Sequence, residues 1–130
     1  MPKSILMVDL GSAKGAELGA ALQAKGFRVT RCDSVVSLDT ALKGLWDLIL
    51  TEWDFYHLRG SRLIELLKPA RQPILVCSRQ DTGSIAAEAL EAGARGVFST
   101  FGRAELLDEI ERQIYGSPGI LEEGDSIVAS

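Results

Sequence analysis

The chain has 130 residues, of which 46% are hydrophobic and 25% charged, the size and balance of a single globular domain that buries its own core. Its formal net charge of -4 argues against a surface that neutralises nucleic-acid phosphates. The first apolar run, Ile5–Val8, is too short for a signal or membrane segment, and Cys32 and Cys77 stand in no metal or redox spacing. We therefore expect a cytoplasmic protein with reduced cysteines that binds neither membranes nor, through this domain, nucleic acid.

Five short strands alternate with five helical patterns. The predicted strands are Ile5–Val8, Arg28–Cys32, Leu48–Leu50, Ile74–Cys77 and Val97–Phe98. Four of them are continuous apolar runs, which is typical of strands that are covered on both faces of a parallel sheet. Arg28–Cys32 alternates polar and apolar residues instead, so we expect it at an edge of the sheet.

The segments between the strands carry apolar residues at helical spacing. The predicted apolar stripes are Leu18, Ala21 and Leu22; Leu38, Ala41, Leu42 and Leu45; Leu63, Ile64, Leu66 and Leu67; Ile85, Ala89 and Leu90; and Leu106, Leu107, Ile110 and Ile114. Ser34 is predicted to cap the second helix, Gly26 and Gly93 to end the first and fourth, and Pro69 to end the third. The pattern predicts an α/β fold of the (βα)5 kind, a doubly wound parallel five-stranded sheet.

Carboxylates and hydroxyls follow the predicted strands. In an open parallel sheet, ligands and reacting groups gather beyond the carboxyl ends of the strands. The residues at these ends are Asp9 and Leu10, Thr51 and Glu52, Ser78, and Ser99 and Thr100. We expect them to converge at one edge of the sheet.

Four segments resemble bacterial response-regulator receiver domains by their order and spacing. They are Ile5–Asp9; Asp47–Glu52 with Gly60 beyond it; Pro73–Ser78; and Glu88–Gly96, which runs on toward Ala104–Leu107. The resemblance implies a flavodoxin-like receiver fold of strand order 2-1-3-4-5 over residues 1–115, followed by a tail or linker over residues 116–130. It also implies a role in two-component signal transduction or a phosphorelay. In that role an aspartate takes phosphate from a histidine kinase, with an acidic pair that binds magnesium, a Ser or Thr, and a Lys around it.

The pocket that the resemblance implies departs from the family at several positions. Glu52 stands at the phosphoacceptor position and Thr100 at the lysine position. Asp9 matches the first acidic position, Leu10 replaces the second, and Ser78 conforms. Leu10 removes a carboxylate from a hard-cation site, the extra methylene of Glu52 moves the attacking oxygen, and Thr100 supplies no positive charge. We expect an atypical receiver with no cofactor, a metal site that is vestigial at most (Asp9 and Glu52), weak or absent magnesium binding, and no efficient phosphorylation.

The pocket residues also have plainer interpretations. Glu52 is either a permanent mimic of the phosphoryl charge or a product of drift, and we leave both open. Asp9 is favoured at the turn that enters a helix whether or not it once bound metal, and Ser78 is explained by a local backbone hydrogen bond. Val97 stands where receivers that signal through an aromatic rotamer carry Tyr or Phe, so aromatic switching is not expected.

These departures favour a non-enzymatic signalling module that acts by binding another protein through the fourth helix, fifth strand and fifth helix. The candidate exposed polar residues of that surface are Glu88, Glu91, Arg95, Glu105, Asp108, Glu109 and Arg112, although a solvated helix face explains the same residues. A homodimer is left open. The aromatic cluster Trp53, Phe55 and Tyr56 either packs on its own loop or, if exposed, suits a protein interface.

Two alternatives come from other classes. The first is the regulatory domain of a transcriptional response regulator separated from its DNA-binding effector, because residues 115–121 resemble the exit into the linker of helix-turn-helix regulators. The second is a flavodoxin-like cofactor-binding protein. The segment Gly11–Gly15 weakly resembles a phosphate loop, and a helix N-terminus attracts anions.

Overall fold

A computed structural model describes residues 2–9, 11, 13–55, 58–68, 72–78, 82–99 and 104–116. The strands are β1 (Ser4–Val8), β2 (Arg28–Cys32), β3 (Leu48–Glu52), β4 (Asp54–Phe55), β5 (Leu58–Arg59), β6 (Ile74–Cys77) and β7 (Gly96–Phe98). The helices are α1 (Ala13–Ala24), α2 (Val35–Ala41), α3 (Gly60–Leu67), α4 (Thr82–Ala92) and α5 (Ala104–Tyr115). Within these residues no helix is long and apolar enough to cross a membrane.

Five of the strands form one parallel sheet in the order β2-β1-β3-β6-β7. Counted within this sheet alone, the order is 2-1-3-4-5, so the predicted fold class and strand order are confirmed. The alternating strand β2 lies at an edge, as its sequence pattern predicts. The tail predicted over residues 116–130 lies outside the described residues apart from Gly116, so that boundary stays a prediction.

The apolar strands bury both faces of the sheet because successive side chains point to opposite sides. One face of the sheet packs against α1 and α5, and its core residues are Ile5, Met7, Leu18, Leu22, Phe27, Leu48, Leu50, Leu75, Cys77, Leu106 and Ile110. The other packs against α2, α3 and α4, and includes Leu6, Val8, Leu38, Ile49, Leu63, Ile64, Leu67, Ile74, Val76, Ile85 and Ala89. This doubly covered arrangement is what continuous apolar strands require.

The predicted helix ends are largely confirmed. Ser34 caps α2 through a capping box with Ser37, in which the Ser34 hydroxyl accepts from the Ser37 N–H at 3.1 Å; such a cap is worth about 1 kcal/mol. Gly26 and Gly93 follow α1 and α4 with φ of 97° and 126°, the left-handed region that glycine tolerates best. Pro69 lies outside the described residues.

Three residues of the predicted apolar stripes are exposed. Leu45 is 92% exposed because α2 ends at Ala41 and the chain leaves the helix before Leu45 is reached. Leu66 and Leu90 are 42% and 51% exposed, since both lie at the border of their helical stripes, where a 3.6-residue period turns the side chain away from the sheet.

A short antiparallel hairpin, β4 and β5, follows β3 and was not predicted. Trp53 and Phe55, which flank its start, are 8% and 0% exposed and belong to the core beneath α3. The Trp53 N–H donates to the Cys77 carbonyl at 3.0 Å, and the Trp53 carbonyl accepts from the Gly60 N–H at 2.7 Å. These aromatic residues therefore pack internally and offer no exposed interface; Tyr56 lies outside the described residues.

Gly60 should be one of the most sensitive glycines of the fold. It has a φ of 53°, and an added Cβ would stand 2.7 Å from Cζ2 of the Trp53 indole. Gly60→Ala should therefore lower the free energy of unfolding by about 2–4 kcal/mol, the sum of backbone strain and overpacking. Gly26→Ala is the matched control, because its φ is 97° with no atom within 4 Å, and it should cost only about 1–2 kcal/mol. Equal losses in urea denaturation would contradict the packing argument.

Candidate functional site

The predicted pocket residues that the structure describes lie at neighbouring strand ends. In the sheet register Val8 pairs with Thr51 and Glu52 pairs with Cys77. Asp9 therefore stands beside the end of β3, where Glu52 is the last residue, and Ser78 stands directly after β6. The strand register thus places Asp9, Glu52 and Ser78 at the same edge of the sheet, as the sequence predicts. Leu10 and Thr100 lie outside the described residues.

Asp9 is fully buried, with 0% of its surface exposed. Its Oδ1 accepts a hydrogen bond from the Gly11 N–H at 3.1 Å, so the side chain does shape the turn before α1. Its Oδ2 accepts from the guanidinium of Arg31 at 2.9 Å, which is an ion pair. Because a buried charge is costly unless it is paired and hydrogen-bonded, Arg31 and the Gly11 N–H supply the partners that the buried Asp9 carboxylate needs.

Arg31 was not among the predicted site residues. It lies in the edge strand β2, in register with Met7 of β1, so its side chain shares a sheet face with Met7 and Asp9. The side chain is 32% exposed. The local sequence does not mark Arg31 as a pocket residue, because its place opposite Met7, two residues before Asp9, is visible only in the β1–β2 register.

The first helix is shaped around this arginine. A Cβ at Gly19 would lie 3.9 Å from the Arg31 Cδ, and a Cβ at Gly15 would lie 3.0 Å from the Arg31 Nη2 and inside the contact distance of the Asp9 carboxylate. Gly15 and Gly19 are both buried and one helical turn apart. They let α1 close over the ion pair. Gly15 is thus a packing residue, and the weak resemblance of Gly11–Gly15 to a phosphate loop is better explained by this close approach.

The described residues do not fit a magnesium site of the kind that the receiver resemblance implies. Magnesium prefers near-octahedral oxygen ligands and usually takes one or two carboxylates. Both oxygens of Asp9 already have partners, one of them a cation. Among the described parts of the chain, no three His, Cys, Asp or Glu side chains are grouped closely enough to hold a metal ion.

Glu52 is half-buried at the end of β3, next to Cys77 on β6. Burial raises the pKa of the Cys77 thiol far above its ordinary value, and the negative charge of Glu52 raises it further. The neighbouring Thr51 is buried and donates its hydroxyl to the Glu52 carbonyl at 2.9 Å. The Cys77 thiol therefore stays protonated and is no nucleophile at neutral pH.

Val97 lies in β7 and pairs with Val76 of β6. It is half-buried and packs against the core layer beneath α2, α3 and α4. An aliphatic side chain in this setting fills space and has no polar group to engage the pocket. The expectation that aromatic switching is absent stays a prediction.

The α4–β7–α5 face exposes most of the residues predicted there. Those exposed are Glu88, Glu91, Arg95, Glu105, Asp108 and Arg112. Glu109 departs from the prediction, because its side chain is only 18% exposed. It pairs with Arg112 and accepts from Gln113 at 2.7 Å, while Arg95 donates to Gln113 at 3.3 Å.

Within the described part of the chain, four acidic residues of this face pair with no basic side chain. They are Glu88, Glu91, Glu105 and Asp108, and we call them the acidic face. The face combines two carboxylates from α4 with two from α5. Arg95 and Arg112 are exposed on the same surface, so its exposed acidic residues outnumber its exposed basic residues by four to two.

Solved response-regulator structures share this fold. A response regulator receiver domain protein (CheY-like) from Methanospirillum hungatei JF-1 has a TM-score of 0.77 at 19% identity, over 88% of this chain and 95% of that one. Full-length FixJ from B. japonicum has a TM-score of 0.75 at 26% identity, over 91% and 61%. A response regulator from Burkholderia pseudomallei with a phosphorylated aspartic acid, calcium ion and citrate has a TM-score of 0.72 at 20% identity, over 86% and 66%. No protein-family model and no curated protein sequence matches the chain.

The chain thus has the receiver fold of response regulators, as its sequence resemblance predicts. It spans less than two thirds of the length of the Burkholderia and FixJ chains. It spans nearly the whole of the Methanospirillum domain. What these proteins share with this chain is the architecture that brings the strand ends together.

Both cysteines should be unreactive in the native protein. Burial raises the pKa of Cys32 as well as that of Cys77, and the thiolate is the reactive form. At about pH 8, native protein should react with an aromatic disulfide reagent far more slowly than protein in concentrated urea, which should titrate two thiols. The raised values also mean that the unfolded state ionises first, so stability should fall as the pH rises past the ordinary thiol pKa of 9.0. A rapid native reaction of either thiol would contradict the burial of these residues.

Proposed function

We propose that this chain is an atypical receiver-like signalling domain that acts by protein–protein interaction, without enzymatic activity and without efficient phosphorylation. The observation that carries the proposal is the state of the pocket carboxylates. Asp9 is neutralised by Arg31 inside the fold, and the residue at the phosphoacceptor position is Glu52, one methylene longer than aspartate. Two buried, free cysteines support a cytoplasmic location.

Phosphoryl transfer is mostly a matter of positioning and charge stabilisation. A displaced attacking oxygen costs on the order of a hundredfold in rate for about 1 Å of misplacement. An arginine already engaged with Asp9 is not available to a transferring group without breaking that pair. The Burkholderia protein carries a phosphorylated aspartic acid, whereas this chain has Glu52 at the position that the receiver resemblance assigns to the phosphoacceptor.

Incubation with a small acyl phosphate and magnesium should leave wild type unmodified by intact-mass measurement. Glu52→Asp alone should also accumulate little phosphate, because nucleophile, metal ligands and phosphate clamp act as one unit. The triple variant Glu52→Asp, Leu10→Asp, Thr100→Lys restores the three groups and should phosphorylate faster than the single variant. A phosphate adduct on wild type would overturn the proposal. If the single variant matched the triple, the roles assigned to Leu10 and Thr100 would be wrong.

The acidic face supports the choice of a protein partner. Its four carboxylates are exposed and pair with no basic side chain within the described residues, and helices α4 and α5 already fix the backbone that carries them. An excess of carboxylates on a surface raises the rate and specificity of association with an oppositely charged surface. We therefore propose a partner that presents Lys and Arg side chains to this face.

Charge reversal tests the interface. Glu88→Lys with Glu91→Lys should lower partner recovery from the native cell by about tenfold or more, because like charges at an interface repel. Glu17→Lys with Asp39→Lys changes the net charge equally at exposed positions of α1 and α2 and should leave recovery unchanged. Equal losses in both pairs would indicate a general charge effect, and no loss in the first pair would exclude this surface.

A second candidate is the regulatory domain of a longer response regulator. It is favoured by the coverage of solved relatives, since this chain aligns with 61% of full-length FixJ and 52% of Thermotoga maritima DrrB. An antibody raised against the domain would measure the native length by immunoblot. A native protein much larger than 14.0 kDa would favour this candidate.

A further inference from the structure

We infer that Arg31 is the built-in cation of the pocket and that it closes the Asp9 carboxylate to divalent metal ions. The inference shares the Asp9–Arg31 pair with the proposed function and goes beyond it, because it concerns the binding of metal ions rather than a partner or phosphorylation. Three observations carry it: the ion pair itself, the burial of Asp9, and the fit of α1 around the arginine.

The ion pair uses the Asp9 oxygen that points toward the edge strand. The Arg31 guanidinium lies 2.9 Å from Oδ2, and the Gly11 N–H holds Oδ1 at 3.1 Å. Asp9 has no exposed surface. A metal ion that took this carboxylate as a ligand would have to displace the guanidinium and face its positive charge at close range.

The surrounding backbone is arranged for an arginine. The Arg31 side chain passes the buried Gly19 and ends beside Gly15, and any Cβ at Gly15 would collide with the Asp9 carboxylate. A magnesium ion that took Asp9 Oδ2 as a ligand would have to take the place of the Arg31 guanidinium, which lies 2.9 Å from that oxygen. The guanidinium is planar and always charged, so it satisfies the carboxylate at every physiological pH.

Removing the guanidinium should therefore create metal affinity. Binding of Mn²⁺, followed by electron paramagnetic resonance of the free ion, is the direct measurement. Wild type should bind Mn²⁺ no better than Asp9→Asn. Arg31→Gln should bind it about tenfold or more tightly than wild type, since the variant frees one carboxylate oxygen and removes a repelling charge.

The controls use matched substitutions. Arg28→Gln removes an arginine from an exposed position of the same strand and should bind Mn²⁺ like wild type. Arg31→Lys keeps a cation within reach of Asp9 and should also behave like wild type. Adding Asp9→Asn to Arg31→Gln should abolish the gained affinity.

Several outcomes would overturn the inference. They are Asp9-dependent Mn²⁺ binding by wild type, no gain in Arg31→Gln, and a gain that persists without Asp9. If Arg31→Gln is too unstable for the Mn²⁺ measurement, the stabilities of the variants are compared instead by urea denaturation. The double variant Asp9→Asn, Arg31→Gln should be more stable than Arg31→Gln alone, because replacing both partners removes an unpaired buried charge. A double variant no more stable than Arg31→Gln would equally refute the role of Arg31. None of these readouts depends on phosphorylation or partner binding, so the proposed function and this inference can fail separately.

Discussion

A carboxylate that folds into a protein interior must bring a counter-charge with it, and Asp9 is such a group. At the end of β1 it pairs with the Arg31 guanidinium, which reaches it from the neighbouring edge strand β2. That arginine in turn needs space between the sheet and α1, and Gly15 and Gly19 provide it. One electrostatic requirement thus connects the central strand, the edge strand and the first helix.

The contribution of a buried ion pair to stability differs from the cost of breaking it. An intact pair contributes little net stability, because desolvation offsets the Coulomb attraction, whereas loss of one partner is strongly destabilising. The intact Asp9–Arg31 pair therefore adds little to the free energy of unfolding. Its main effect is to limit which substitutions the two positions tolerate. A substitution at either residue alone exposes the fold to an unpaired charge, which keeps the two residues dependent on each other.

The sheet could be predicted from the sequence because its signal is local. Continuous apolar runs such as Ile5–Val8 and Ile74–Cys77 can be satisfied only when both faces are covered, and the polar alternation of Arg28–Cys32 can be satisfied only at an edge. The β4–β5 hairpin escaped prediction because two-residue strands carry too little pattern to be recognised. Leu45 was misassigned for a related reason: its helical spacing continues past the point where α2 ends.

The site could be predicted only in part, because some of its residues are marked by local sequence patterns and others only by a contact between distant segments. Asp9, Glu52 and Ser78 each follow a recognisable strand, and parallel topology alone brings such ends together. The partner of Asp9 lies 22 residues away, and nothing in the local sequence around Arg31 marks it as part of the pocket. Only the β1–β2 register reveals the pair, and sequence periodicity does not determine register between parallel strands.

This charge balance bears on how the domain signals. A ligand shifts a conformational equilibrium only by the difference between its affinities for the two states. Under the proposed function and the inference about Arg31, metal and phosphoryl groups have little such difference to exploit, because Arg31 already compensates the Asp9 carboxylate. Under the proposed function, the acidic face of α4 and α5 is then presented in one form at all times. Beside this face, the Arg95–Gln113–Glu109–Arg112 contacts join the turn before β7 to α5. Under that proposal, occupancy of the face changes with the abundance and affinity of the partner, by mass action.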